Sequence, residues 1–298
     1  MVDIELKERK SKTKIFESAV IIIFFFAFVL SLSKPVEDPD LFWHLKTGEW
    51  IWQYKSLPDE NPFSFTAQSH SDESSTMIAL KQYWLAQLII YGFYLAGGFY
   101  GIVILRCLIY FCIIFVLYLW IKKKGVSRLS SILFLIPPVY FSTIWFGERP
   151  NNISFLFAVI VLYLLEEMKN SPGSPGKLIR LPLIMLLWAN MHGSFIFGIS
   201  IIGLHIVSES MRILWHKGKG NGVYAHKSFF IVGILSALIC LINPNTYKVI
   251  PVVIKLKESI SYRISSEMLS TIAYAKAGDY RGIIIIGAAV LPLLLKFR

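Results

Sequence analysis

Long apolar runs alternate with short polar stretches along this chain. The first run covers residues 15–33. Others cover 99–121, 127–146, 152–168, 181–190 with its flanks, 193–215, 228–243 and 282–295. A helix needs about 20 mostly apolar residues to cross a bilayer. The pattern predicts an all-α, polytopic membrane protein with about eight transmembrane helices. One further apolar run, 78–97, differs in being studded with aromatic residues: Tyr83, Trp84, Tyr91 and Tyr94.

Charge orients these runs. Lys7, Arg9, Lys10, Lys12 and Lys14 precede the first one, which places the N-terminus inside by the positive-inside rule. Residues 34–98 then form a first external loop. It carries Glu37, Asp38, Asp40, Glu49, Asp59, Glu60, Asp72 and Glu73 against Lys34, Lys46, Lys55 and Lys81, a net of −4. If 78–97 and 99–121 both crossed, Lys122, Lys123 and Lys124 would fall outside. The expectation is that 78–97 lies along the outer surface as an amphipathic helix and that only 99–121 crosses. The loops that follow alternate: 146–152 outside, 166–180 inside, 189–194 outside, 216–227 inside, and a last external loop at 244–281. Lys296 and Arg298 end the chain inside. No internal repeat is evident, and residues 1–298 read as a single transmembrane domain.

Composition agrees. The chain is 55% hydrophobic and 16% charged, with a mean hydropathy of +0.59, unlike a soluble protein of this size. The net charge of +11 sits in short clusters between apolar runs, so it marks membrane orientation and argues against nucleic acid as a partner. Cys107, Cys112 and Cys240 lie within apolar segments and lack metal-binding spacing. The first run is long and has no small-residue cleavage pattern, so no cleavable signal peptide is expected.

This topology gathers the unusual polar motifs on the external face: "EDPDLFWH", "ERPNN", "ANMHGS", "NPN" and "ISSEMLS". Polar groups near a membrane are costly and tend to mark function. In the first motif, Asp38 suits a helix cap, Pro39 the first helical position, and Asp40 the positive end of the helix dipole. Leu41, Leu45, Gly48 and Trp52 then share an apolar face suited to the bilayer. Asp40 and His44, four residues apart, share another face and can act as a couple. Glu148 and Arg149 read either as an interfacial ion pair or as an arginine held for phosphate, whose oxygens a guanidinium matches in pairs. Asn190 and His192 read as a polar helix end closed by Gly193. Glu267 reads as a solvated loop carboxylate.

These motifs resemble, in their order, the GT-C superfamily of membrane glycosyltransferases. An acidic pair after the first span, followed by a helix ending near a glycine, is one sign. "DPDLFWHLKTGEWI", "NPFSFT", "WLAQLIIYG", "ERPNNISFLF", "LLWANMHGSFIFG" and "LINPNTYKVI" look like a bacterial subgroup related to lipopolysaccharide-core and protein O-mannosyl transferases. Two departures stand out. Tyr83 occupies a place where the subgroup often has an acid, and Glu267 is followed by Met268 where tryptophan is common.

The resemblance implies a bacterial inner-membrane enzyme with its active face outside the cytoplasm. It would move a sugar, with inversion, from a polyprenyl-phosphate donor to a glycan, lipid or protein acceptor. Asp40 or Asp38 would be the catalytic base. His44, Glu148, Arg149, Asn190, His192 and Glu267 would contact substrate. Asp40 with Glu148 is the carboxylate pair that would hold a divalent cation, Mg or Mn. Two other classes compete. A transporter or flippase for a lipid-linked glycan predicts charges spread through the spans, where Glu209 and Arg106 are the main ones. A non-catalytic assembly partner is the third.

Overall fold

The computed structural model describes residues 2–59, 62–63, 78, 80–144, 147–170, 175–215, 222–249 and 251. The chain divides into two compact units, Met1–Thr246 and Tyr247–Arg298. Nearly all of the second, including Glu267, the rest of the last external loop and the predicted span 282–295, lies outside the described residues. The first unit is built of helices: α1 Val2–Leu32, α2 Asp40–Tyr54, α3 Trp84–Lys123, α4 Arg128–Ile144, α5 Asn151–Asn170, the single turn α6 Pro175–Leu178, α7 Arg180–Met191, α8 Phe195–Trp215 and α9 Gly222–Ile239. No strand occurs among the described residues.

A helix thus stands over each of the first seven predicted runs. Among the described residues, four segments are long and apolar enough to cross a membrane: Ser11–Leu32, Trp84–Lys123, Asn151–Met168 and Phe195–Trp215. The helices over 127–146, 181–190 and 228–243 have shorter apolar stretches.

The run at 78–97 and the run at 99–121 share one helix, α3, broken between them. Gly97 (φ −155°, ψ 18°) and Gly98 (φ 58°, ψ −140°) leave the helical region at the join. Gly98 holds a backbone conformation that a side chain would oppose, and it divides α3 into an arm at 84–96 and an arm at 99–123. The second arm is the hub of the unit. It joins α1 and α4 through Phe25, Phe28, Leu32, Tyr110, Ile113, Ile114 and Leu135, all buried. Such aliphatic and aromatic interdigitation is what fixes one helix against another.

Helix α2 lies on α3. Leu41, His44, Leu45, Gly48 and Ile51 are buried, the spacing of one helical stripe, with Leu41 and Leu45 against Ile90, Tyr91 and Ile102. Gly48 makes the close approach possible. A Cβ there would overlap the Gln87 carbonyl oxygen and lie 2.7 Å from Tyr91 Cβ. This corrects the expected bilayer face: Leu41, Leu45 and Gly48 face protein, while Trp52 is exposed. Nor does the helix end at Gly48. It runs six residues further to Tyr54, where Lys55 closes it in the left-handed region (φ 53°) with its N–H on the Ile51 carbonyl.

Candidate functional site

The start of α2 is held by Asp38. Its Oδ1 accepts the Asp40 N–H at 3.0 Å, a local turn that presents the first helical residue. The helix begins at Asp40 with Pro39, not Asp38, in the N-cap position and no side-chain cap bond, so Asp38 braces the turn ahead of the helix. Asp38 does more than brace the turn, because its Oδ2 accepts Arg149 Nε at 2.6 Å. Its backbone N–H is among the influences that lower the Glu148 pKa. Gly147 lines this contact: a Cβ there would stand 2.8 Å from Asp38 Oδ2.

Arg149 reaches both aspartates. Its NH1 lies 3.2 Å from Asp40 Oδ2. The surroundings differ sharply: the Asp38 side chain is 9% exposed and that of Asp40 56% exposed. The expected couple of Asp40 with His44 does not form. Asp40 turns outward to Arg149, His44 turns inward, and the carboxylate whose charge reaches His44 is Asp38.

Glu148 pairs with Arg106 of the second arm of α3 instead of its neighbour Arg149, and both side chains are buried. Arg106 also donates to the carbonyls of Lys34 and Pro35 in the linker between α1 and α2. Burial raises the Glu148 pKa, against the opposing pull of Arg106 and the Asp38 N–H. Asn152 extends the assembly by donating to the Gly147 carbonyl while its Oδ1 accepts Tyr110 OH at 3.0 Å. Leu41, Ile102, Arg106, Tyr110, Glu148 and Asn152 line a cavity of about 20 Å³, room for about one water.

Beside the aspartates lies an aromatic and amide layer. Tyr83 stacks on His192 with ring centroids 4.9 Å apart and planes 10° from parallel, and meets the edge of His44 at 5.9 Å. His44 Nδ1 stands 3.4 Å from Gln87 Nε2. Gln87 is 0% exposed and its Oε1 has no partner. Burial lowers both histidines from 6.5 to about 4, so each is neutral near pH 7. For His44, the charge of His192 lowers the value further.

The remaining motifs close the layer. Trp84 Nε1 donates to Asn190 Oδ1 at 2.9 Å, and Asn190 Nδ2 donates to the carbonyls of Leu186 and Ile242. Asn245 Nδ2 donates to Gln82 Oε1 at 2.9 Å and to the Ile78 carbonyl, while Gln82 reaches the Ala189 carbonyl. The end of α7 departs from expectation. His192 is the C-cap in an extended conformation (φ −162°, ψ 143°), and its Nδ1 accepts the Ser194 N–H at 3.1 Å. Gly193 is not in the left-handed region; the chain passes straight into α8.

The structure thus brings together Asp38, Asp40, His44, Glu148, Arg149, Asn190 and His192 around the ends of α2, α5 and α7 and the first arm of α3. Glu267 lies outside the described residues. Sequence reasoning passed over Gln82 and Gln87, and it quoted Asn152 and Asn245 within "ERPNN" and "NPN" without giving them a role. Their signal was a polar side chain inside or beside an apolar run. Among the described residues no three acidic, histidine or cysteine groups gather as metal ligands. Asp40 pairs with Arg149, and Glu148 with Arg106. Compared with family models, curated proteins and solved structures, the chain finds no match.

Proposed function

We propose that this protein is an inverting GT-C-type glycosyltransferase that takes a sugar from a polyprenyl-phosphate donor on the extracytoplasmic face of a bacterial inner membrane. In this reading the chain crosses about eight times, and the first arm of α3 lies with α2 along the outer surface. The observation that carries it is the meeting of Asp38 and Asp40 with Arg149, from a segment 111 residues away, with one carboxylate buried and the other open.

That asymmetry divides the work. Asp40, the exposed carboxylate, is the base. It removes the proton from an acceptor hydroxyl as the oxygen attacks the anomeric carbon. The bond from that carbon to the phosphate oxygen breaks, and its electron pair leaves with the phosphate. Arg149 meets that phosphate, as a guanidinium is suited to do. Asp38 keeps Arg149 in place. The transition state has oxocarbenium character, which nearby negative charge stabilises. Neutral His44 and His192 are suited to hydrogen-bond sugar hydroxyls without competing for the proton. A polyprenyl tail explains a site at the membrane surface.

The test has two parts. Native mass spectrometry of the purified protein should show a co-purifying polyprenyl phosphate. Membranes containing the protein should transfer label from a lipid-linked sugar pool to an acceptor. Absence of both the bound lipid and the transfer would end this reading.

A further inference from the structure

Among the described residues, two carboxylates, Asp38 and Asp40, meet the one guanidinium of Arg149. Beside it, Arg106 and Glu148 cancel, and His44 and His192 are neutral near pH 7. A phosphate ester arriving at Arg149 meets a guanidinium already contacted by two carboxylates. It can approach only if a carboxylate gives way.

The two carboxylates are not equally free to do so. Asp38 is fixed from two sides: its Oδ2 holds Arg149 at 2.6 Å and its Oδ1 holds the Asp40 N–H at 3.0 Å. Asp40 touches Arg149 at 3.2 Å from a side chain that is 56% exposed. An ion pair that open is weakly held, since water and salt compete for both partners. Asp40 is also the first residue of α2, so its side chain can swing into solvent without any change of helix.

We propose that Arg149 is an exchange site, at which a phosphate ester displaces Asp40 from the guanidinium while Asp38 stays bound. This rests on the transferase reading above and adds an order to it. Until the donor binds, the base is occupied by Arg149. Donor binding moves the arginine's charge onto phosphate and leaves Asp40 free beside the acceptor. The contact that occupies the base is the one the donor's phosphate replaces, so arrival of phosphate releases the base.

The experiment measures binding, not turnover. The full chain in detergent is titrated with farnesyl phosphate and, separately, with inorganic phosphate. Wild type is compared with Asp40→Asn, Glu37→Gln and Arg149→Gln, each checked for an unchanged melting temperature. Glu37 is exposed and makes no ion pair, so its variant removes a nearby negative charge without touching Arg149. Asp40→Asn should bind farnesyl phosphate roughly three- to tenfold tighter than wild type, because the competitor is gone. Glu37→Gln should change binding less than about twofold. Arg149→Gln should lose it. Tightening toward both probes means the site reads phosphate itself, and tightening toward farnesyl phosphate alone means it reads a lipid-borne phosphate; either supports exchange. Equal or weaker binding by Asp40→Asn, a matching gain in Glu37→Gln, or no binding by any form overturns it. Sugar transfer is assayed separately, so failure of the exchange leaves the transferase reading to its own test.

Discussion

Asp38 and Asp40 stand two residues apart, and the structure gives them different work. An Asn side chain accepts a turn N–H as Asp does, so Asp38→Asn keeps the turn at the head of α2. It loses the charge that holds Arg149 at 2.6 Å. The expected result is a roughly tenfold loss of transfer with the fold intact. Asp40→Asn is close to isosteric but cannot take a proton, and a lost general base costs ~10²–10⁴-fold in rate. Transfer of labelled sugar in membranes ranks the two; the reverse ranking would mean that Asp38 is the base. The histidines set a pH dependence of stability. Each has a folded-state value near 4 against 6.5 unfolded, so between these values the unfolded chain binds more protons. Their contribution is complete above about pH 6.5 and fades as pH falls toward 4, by on the order of 3 kcal/mol per histidine at the extreme. Melting temperature should fall between pH 7 and pH 4.5, and fall less steeply in a His44→Gln/His192→Gln variant. An equal slope in that variant would remove the histidines from the account.

At the scale of elements, the seating of α2 on α3 decides whether the aspartates face Arg149. Gly48→Ala places a methyl group on the Gln87 carbonyl and 2.7 Å from Tyr91 Cβ, neither of which is a flexible chain end. Helix α2 must back away, at about 1–3 kcal/mol. The expected outcome is a lower melting temperature together with lost transfer, whereas a surface substitution on the opposite face, such as Gln53→Ala, leaves both unchanged. A Gly48→Ala protein as stable as wild type would mean that the two helices are less closely engaged. The elements were largely legible beforehand, because apolar runs and basic clusters are local signals. Helices α1, α4, α5, α7, α8 and α9 stand where the runs predict them. The layer that joins them was not legible. Asn245 meets Gln82 across 163 residues and Ile78 across 167, and no local pattern encodes such a partner. Gly48 misled for a similar reason: a glycine late in a short helix reads as an end, while here it is a contact point.

For the whole molecule, the central question is which side each loop faces. The break at Gly97 and Gly98 lets the first arm of α3 take a course of its own, so that only the arm at 99–123 need cross. On the proposed topology Lys122 and Lys123 would end α3 on the inner side; beside them Lys124 meets Glu166 at 2.5 Å and Lys123 lies 3.7 Å from Glu167. In a background lacking Cys107, Cys112 and Cys240, a cysteine at 59 should react with an impermeant maleimide on intact spheroplasts. One at 123 should react only after lysis. External labelling at 123 would mean that both arms cross, and would reverse the sidedness of everything after them.

The Arg106–Glu148 pair has a consequence for how the chain is made. Synthesis delivers Arg106 within an apolar helix 42 residues before Glu148 exists. On the reading that the arm at 99–123 crosses, a lone arginine in it is costly to insert, with about 2.5–3.5 kcal/mol at the bilayer centre as the upper end on insertion scales. Its other partners, the carbonyls of Lys34 and Pro35, have by then already emerged. Assembly therefore has a direction: the linker after α1 receives the guanidinium first, and the turn ahead of α5 supplies its counter-charge only once the next hairpin has been translated.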